Sequence, residues 1–141
     1  MCIIFVCEWR DSMFGDKPIF GQTELKIDEK GRMFIPANTK REVGEELVLL
    51  NNKNLNLYEI YSIAKLKEKF EELNELMMNS KNKSHERFYE KMIYELSKSI
   101  LKSGKVDAQG RFLIGKIFDE DEKVLSTGAY DHLIIESVKS K

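Results

Sequence analysis

Residues 26–36 read KIDEKGRMFIP, and residues 105–115 read KVDAQGRFLIG. The second stretch repeats the first 79 positions later (105 minus 26), and no gap is needed to match the two. Both contain an apolar residue, Asp, two variable positions, Gly, Arg and an apolar triplet, in that order. A repeat that keeps its register over this length indicates two structurally equivalent halves within one domain.

In each copy, Asp and Gly have the positions that a tight hairpin turn needs. Asp28 and Asp107 can accept backbone N–H bonds at the start of the turn, and Gly31 and Gly110 can adopt the positive φ at its end. A type I turn followed by a left-handed glycine is a three-residue hairpin loop with a bulge. The apolar triplet 33–35 that follows the first turn predicts a strand buried on both faces, as inside a barrel.

The arginines of the two copies are not needed by the turn. Arg32 and Arg111 would form a symmetric pair, each oriented by the Asp four residues before it. An Arg held in this way can bind guanine bidentately or bind a phosphate. A purely structural Asp–Arg ion pair is the alternative, and at this point both interpretations stay open.

Composition bounds the class of protein. The chain has 141 residues, of which 42% are hydrophobic and 33% charged, as expected for one soluble globular domain. The apolar run from Cys2 to Cys7 is too short for a signal peptide or a spanning helix. With only two cysteines and no targeting segment, the sequence predicts a reducing cytoplasm, no membrane association and no metal site. The net charge is −1, so a nucleic-acid binder would need its positive charge concentrated locally or multiplied by oligomerisation.

The rest of the chain divides around the repeat. Residues 1–18 lie outside it and are an extension, either an edge strand or a leader. Residues 20–61 form the first half, with a short helix over 36–43 and a hairpin over 47–60. Residues 62–99 carry apolar side chains every three or four positions and predict two antiparallel helices that pack by these stripes. Residues 100–138 form the second half.

Two finer expectations concern element ends and alignment. Ser84 is a plausible N-cap of the second helix, because it follows a polar break. In the second half, the segment 133–136 matches 56–59 of the first half, with 128–131 as the turn between the last two strands. The halves and the helix pair are expected to form a single domain over 19–138.

The motif resembles that of a known family. Asp-x-x-Gly-Arg followed by an apolar triplet and Pro36 resembles the AbrB-type swapped-hairpin DNA-binding barrel. Two copies separated by a helical pair resemble the MraZ family of bacterial transcriptional regulators. The match runs from about Phe20 to Glu136, and it includes the pair Phe20-Gly21 before the first motif and the closing segment Gly128 to Leu133.

The resemblance implies both a fold and a function. The fold would be α+β, a swapped-hairpin β-barrel from two internal repeats with an inserted helix pair. The protein would bind short promoter direct repeats in double-stranded DNA as a homo-oligomeric ring, an octamer or larger. It would control a cell-division and cell-wall operon, associated with the bacterial nucleoid. It would need no cofactor and no small-molecule substrate.

The same resemblance implies which residues contact DNA. The contacting arginines would be Arg32 and Arg111, and further basic residues on the following helix would be Lys40 and Arg41. Lys30, in the first turn, is a reasonable phosphate contact. This sequence departs from the family pattern in the second half, where Gly115 replaces the proline and an acidic run occupies 119–122. It also ends just after the last predicted strand, where the family usually adds a helix.

Three other interpretations of the sequence are an AbrB-type regulator of another kind, an enzyme and a scaffold. An AbrB-type antitoxin or phage-borne regulator would keep the fold, but such antitoxins usually have one motif copy and a disordered tail. An enzyme is disfavoured, because His85 and His132 are the only histidines and no HExxH motif, phosphate loop or Ser elbow is present; His132 is expected to be structural. A scaffold without a DNA role is compatible with the helix pair.

Overall fold

In this computed structural model, residues 19–36, 44–119 and 122–138 are described. The strands are β1 (Gln22–Leu25), β2 (Arg32–Phe34), β3 (Glu46–Asn52), β4 (Leu57–Ser62), β5 (Ile100–Lys105), β6 (Arg111–Leu113), β7 (Val124–Gly128) and β8 (Leu133–Ser137). The helices are α1 (Ile63–Met78) and α2 (Lys83–Ser99). The expected extension 1–18 and the expected helix over 36–43, with Lys40 and Arg41, lie outside the described residues except for Pro36.

The described strands form two antiparallel sheets. One has six strands in the order β1-β7-β8-β4-β3-β5, and the other is the pair β2-β6. The helix pair follows β4 and returns to β5, so the two halves flank it in sequence. The α+β class, the β3–β4 hairpin and the two helices between β4 and β5 are therefore confirmed.

The two halves meet at the centre of the large sheet, where β4 pairs with β8. Tyr58 lies opposite Ile135, and Ile60 lies opposite Leu133. The pairing is symmetric if Tyr58 of the first half corresponds to Leu133 of the second, and Ile60 to Ile135. This register makes Leu133 the counterpart of Tyr58, whereas the sequence alignment had matched it to residue 56. The alignment was wrong by two residues because the β7–β8 loop is shorter: Gly128 already pairs with Leu133, while its counterpart Asn51 pairs with Tyr58.

The main core lies between the two sheets. Met33 and Phe112, which pair with each other on β2 and β6, are fully buried there with the side chains of the large sheet. Phe34 and Leu113, their neighbours in the same strands, are exposed. The expectation that the apolar triplet is buried on both faces is therefore wrong, because a two-stranded layer covers the core with one face and leaves the other face uncovered.

The helices are attached mainly through α1. Its Leu66 packs with Val48, Leu50 and Tyr61 in a second apolar cluster. The α1 N-cap is Ser62, whose Oγ accepts the N–H of Lys65 at 3.2 Å. The N-cap of α2 is Asn82, which accepts the N–H of His85 at 2.8 Å. The choice of Ser84 is wrong, because α2 begins at Lys83 and Ser84 is already inside its first turn.

The apolar stripe of α2 is only partly used for packing. No residue of α2 is buried, and several large apolar side chains of the helix pair and the start of β5 are exposed. They are Leu76, Met78, Phe88, Met92, Tyr94 and Leu101. Neither α1 nor α2 is long and apolar enough to span a membrane, and the other described residues contain no such helix.

Candidate nucleic-acid interface

The first repeated motif forms a closed hairpin turn. The N–H of Gly31 donates to the carbonyl of Asp28 at 3.0 Å, and the N–H of Asp28 donates to the carbonyl of Arg32 at 3.0 Å. The Asp28 Oδ1 atom accepts the backbone N–H groups of Lys30 at 3.0 Å and Arg32 at 2.8 Å. Gly31 has φ of +82°. This backbone conformation is unfavourable for any residue that has a Cβ atom, but not for glycine. Asp and Gly therefore close the turn by local chemistry.

The Asp28 side chain also holds the arginine. Its second oxygen, Oδ2, accepts a hydrogen bond from Nε of Arg32 at 2.8 Å. The pKa of the Asp28 carboxyl is held below its ordinary value, first by the N–H of Arg32 and then by the Arg32 side chain and the N–H of Lys30. The carboxylate is therefore charged near neutral pH, and it fixes the plane of the guanidinium through one nitrogen.

The second motif repeats this geometry. Asp107 Oδ1 accepts the N–H groups of Gln109 at 2.9 Å and Arg111 at 2.8 Å, and Oδ2 accepts Nε of Arg111 at 2.8 Å. The pKa of the Asp107 carboxyl is lowered, again mainly by the N–H of Arg111. Gly110 has φ of +80°. The two arginines are thus oriented by the same local device.

Strand pairing brings the two arginines onto one surface. Arg32 pairs with Leu113 and Phe34 pairs with Arg111 across β2 and β6, while the buried pair Met33 and Phe112 lies between them. Side chains alternate along a strand, so these four residues share the outward face of the two-stranded sheet. We call this surface, formed by Arg32, Phe34, Arg111 and Leu113, the ribbon face.

Both arginine side chains are partly accessible on the ribbon face. The side chain of Arg32 is 28% exposed and that of Arg111 is 20% exposed. Within the described part of the chain, the hydrogen-bond partner of each is its own Asp, through Nε. The Nη atoms can therefore still donate to a ligand. This is the geometry in which an arginine binds a planar acceptor pair or a phosphate.

Each turn is hydrogen-bonded to the residues that follow the short strand of the other half. The carbonyl of Gly110 accepts the N–H of Ile35 at 3.0 Å, and the carbonyl of Gly31 accepts the N–H of Ile114 at 2.8 Å. Gly115 adds a second bond to the Gly31 carbonyl, at 3.1 Å, and has φ of +81°. Proline has neither that N–H nor that φ, so the departure from the motif at 115 has a structural reason.

The remaining charged candidates are distributed unevenly. Lys30 is exposed at the first turn, where the second turn has the uncharged Gln109. Lys40 and Arg41 lie outside the described residues. Of the acidic run, Glu122 accepts hydrogen bonds from the N–H of Asp119 and from Ser137, which ties it to β8. Residues 120 and 121 are outside the described part.

Sequence reasoning missed two features of this surface. The exposed apolar pair Phe34 and Leu113 gave no signal, because alternation within a three-residue apolar triplet does not show which face is buried. Lys102 of β5 was not singled out either, because it belongs to no motif. Its Nζ lies 3.8 Å from the position that a Cβ on Gly115 would occupy, close to the first turn.

The histidine of the second half belongs to a cluster of polar and aromatic side chains. His132 lies between Asp131 and Glu59, with Nδ1 2.8 Å from Asp131 and Nε2 3.3 Å from Glu59. Its ring stacks on Tyr61 with centroids 4.4 Å apart. Across the described residues, no group of three or more His, Cys, Asp or Glu side chains is arranged to hold a metal ion.

Comparison with known proteins identifies similar chains. Residues 19–89 match the family model described as "MraZ protein, putative antitoxin-like". The chain is 34% identical over 107 residues to a protein of Caldanaerobacter subterraneus subsp. tengcongensis named "Transcriptional regulator MraZ", covering 75% of this chain and 68% of the relative. Proteins of the same name from Thermoanaerobacter sp. X514 and Thermoanaerobacter pseudethanolicus are 32% and 31% identical, with the same coverage.

Proposed function

Because this chain belongs to the MraZ family, we propose that it is a sequence-specific DNA-binding regulator of transcription that contacts double-stranded DNA through the ribbon face. The observation that carries this proposal is that Arg32 and Arg111 share one surface, each held by its own Asp at 2.8 Å. A structural Asp–Arg bridge would not need both arginines on the same face. A DNA-reading surface would.

The arginine geometry suits base recognition. Each Asp binds Nε and leaves the Nη atoms for a ligand, so a guanidinium is oriented before DNA arrives and loses less entropy on binding. A bidentate contact from Arg to O6 and N7 of guanine gives about 1–3 kcal/mol of discrimination against other bases. The major groove of B-DNA admits a two-stranded β-ribbon, which is the form of β2 and β6.

The phosphate contacts are assigned to the lysines and to one further arginine. Lys30 stands exposed beside Arg32, and we include Lys40 and Arg41 because the family motif carries basic residues there. The second turn has Gln109 in place of Lys30. The first half therefore contributes more of the nonspecific attraction to the backbone.

We extend the proposal to the architecture. The two sheets would form the swapped-hairpin barrel of the family as a single domain over 19–138, with halves 20–61 and 100–138 around the helix pair 62–99. The reciprocal bonds from Ile35 to Gly110 and from Ile114 to Gly31 support this, because each half completes the turn of the other. Residues 1–18 would be an extension outside this domain.

Assembly into a ring of eight or more copies is the third part of the proposal. A single chain has net charge −1 and would bind DNA feebly. The exposed apolar side chains of the helix pair are suited to contacts between copies. A ring that presents equivalent ribbon faces to direct repeats would raise avidity by about 10²–10⁴ without any new contact. The target would be a cell-division and cell-wall operon in the bacterial cytoplasm, with the protein at the nucleoid.

The proposal is tested by fluorescence anisotropy with the duplex upstream of the protein's own gene. Arg32→Ala should weaken binding at least tenfold, whereas Lys53→Ala, which removes one positive charge from the exposed β3–β4 loop, should have little effect. The logarithm of affinity should fall linearly with the logarithm of salt concentration, with a slope of several released counterions. Equal losses in the two variants, or a flat salt dependence, would contradict the proposal.

A further inference from the structure

Two apolar side chains stand beside the arginines on the ribbon face. Phe34 is 55% exposed and Leu113 is 44% exposed. They occupy the same position of the two repeats, three residues after Gly31 and Gly110. Each pairs directly with the arginine of the other half, Phe34 with Arg111 and Leu113 with Arg32. The ribbon face therefore contains two equivalent units, each an arginine next to an apolar side chain.

Isolated exposed apolar residues are common on protein surfaces and need no explanation. This pair differs because it is duplicated by the repeat and because both members adjoin oriented cations. Leaving Phe34 and Leu113 in water has no structural benefit, since the buried pair Met33 and Phe112 already holds the two strands on the core. The position favours a ligand that offers an apolar group and hydrogen-bond acceptors side by side.

We propose that Phe34 and Leu113 determine base specificity by packing on the 5-methyl groups of thymines in the major groove. This rests on the proposed function, because it requires the ribbon face to enter that groove. The thymine methyl is the apolar group that B-DNA presents there, and contact with Phe or another apolar side chain is an established way to recognise it.

The spacing within each unit fits neighbouring base pairs. Side chains directly opposite each other in an antiparallel pair have Cβ atoms about 5 Å apart, and base pairs are stacked about 3.4 Å apart. An arginine that binds a guanine therefore places its apolar partner over the adjacent base pair. Each unit would select guanine next to thymine, and the larger Phe34 would cover more of its thymine than Leu113.

Hydrogen bonding argues for DNA as the occupant of this face. The ribbon face offers the Nη donors of two guanidinium groups, while the carboxylates of Asp28 and Asp107, in the turns at its ends, already accept Nε and two turn N–H groups each. A second copy of this chain would bring the same donors to the contact rather than matching acceptors. A duplex brings phosphates around the groove and methyl groups within it.

Removal of the thymine methyl is the direct test. A duplex selected by the wild-type protein from a randomised pool is prepared with each thymine replaced in turn by deoxyuridine, which lacks only that methyl. Wild-type affinity should fall about fourfold at a position read by Phe34 or Leu113, the effect expected for one buried methyl-sized group. Phe34→Ala should bind the unmodified duplex more weakly, and deoxyuridine at one of these positions should no longer lower its affinity. Leu113→Ala should lose the deoxyuridine effect at a different position.

Controls separate this role from others. Leu55→Ala changes an exposed apolar residue in the β3–β4 loop. This variant should show the same loss of affinity at each deoxyuridine position as the wild-type protein. Phe34→Leu, which keeps an apolar side chain, should retain part of the sensitivity to the thymine methyl. Circular dichroism of Phe34→Ala and Leu113→Ala establishes that these variants fold. The slope of affinity against salt should be unchanged in Phe34→Ala and reduced in Lys30→Ala, because only the lysine is assigned to a phosphate and displaces counterions.

The outcomes distinguish this inference from the proposed function. Arg32-dependent binding with no deoxyuridine effect would overturn the inference and leave the function intact. No DNA binding by the wild-type protein would overturn both. A change in the molecular mass of Phe34→Ala by light scattering without DNA would mean that another copy covers this face, and would also overturn the inference.

Discussion

Gly31 and Gly115 are in backbone contact where the first turn meets the end of β6. A Cβ built on Gly31 would lie 2.6 Å from the carbonyl oxygen of Gly115 and 2.9 Å from its Cα. The N–H of Gly115 donates to the Gly31 carbonyl at 3.1 Å across the same contact. The two halves of the chain are therefore held together at a point where no side chain fits.

This contact predicts unequal effects of alanine at two glycines. Gly31 and Gly44 both have positive φ, +82° and +88°, but among the described residues nothing lies within 4 Å of a Cβ on Gly44. Gly44→Ala should lower the free energy of unfolding by about 1–2 kcal/mol through backbone strain alone. Gly31→Ala should lower it by about 2–5 kcal/mol, because the Cβ also displaces backbone. Urea unfolding measures both, and equal losses would contradict the close contact.

Asp28 has two separable roles, closing the turn and orienting Arg32. Asp28→Asn keeps an oxygen for the two N–H groups but loses the charged acceptor for Nε. We expect DNA affinity to fall about tenfold, because Arg32 is no longer fixed, while the hairpin persists. Glu29→Gln makes the same charge change at the neighbouring exposed residue and should not weaken binding. If both variants weaken binding equally, Asp28 does not orient Arg32.

The His132 cluster predicts a pH-dependent stability. Burial favours the neutral imidazole, but hydrogen bonds to Glu59 and Asp131 outweigh it and raise the pKa of His132 above its ordinary value. Lys69 of α1 also faces this cluster, with Nζ 3.5 Å from Asp131 and over the Tyr61 ring. The folded state thus binds the proton more tightly than the unfolded state.

The sign of the effect follows from that difference. The stabilisation is complete below the unfolded pKa of about 6.5 and is lost as pH rises through the higher folded value. The free energy of unfolding should therefore decrease from about pH 6.5 upward. His132→Gln should remove this dependence, and His85→Gln, at the exposed histidine of α2, should preserve it. An NMR titration that gives His132 a pKa below 6.5 would rule out this mechanism.

The start of α2 supplies a fourth prediction. Asn82 caps the helix by accepting the N–H of His85 at 2.8 Å, and the Ser84 side chain has no such role. Asn82→Ala should lower the free energy of unfolding by about 1 kcal/mol. Ser84→Ala should change it by less than about 0.5 kcal/mol. Circular dichroism during urea unfolding compares them, and the reverse order would show that the helix begins later than Lys83.

Local signals in the sequence predicted local structure well. The turns at 28–31 and 107–110 depend on hydrogen bonds within five residues, so Asp and Gly at fixed spacing were sufficient. Apolar periodicity predicted the helix pair, and two apolar runs around the polar turn 51–54 predicted the β3–β4 hairpin. The α2 cap was missed by two residues, because Asn and Ser are equally good caps and only the coordinates show which one accepts the N–H.

Features that depend on contacts between distant segments could not be predicted in this way. Matching the last strand by sequence failed, because loop length decides register and the β7–β8 loop is two residues shorter. The burial of Leu66 and the exposure of Phe88 also depend on where α1 lies on the large sheet, which apolar periodicity does not specify.

The sequence by itself determined that two Asp-Gly-Arg hairpins exist, because each closes through its own backbone and its own carboxylate. Only the tertiary structure decided that β2 pairs with β6, which places Arg32 across from Leu113 and Arg111 across from Phe34. The physical reason is that an apolar triplet such as 33–35 can turn either face of its strand to the core. Packing of Met33 and Phe112 into the shared core chooses the face, and the arginines with their apolar partners are turned outward as a result.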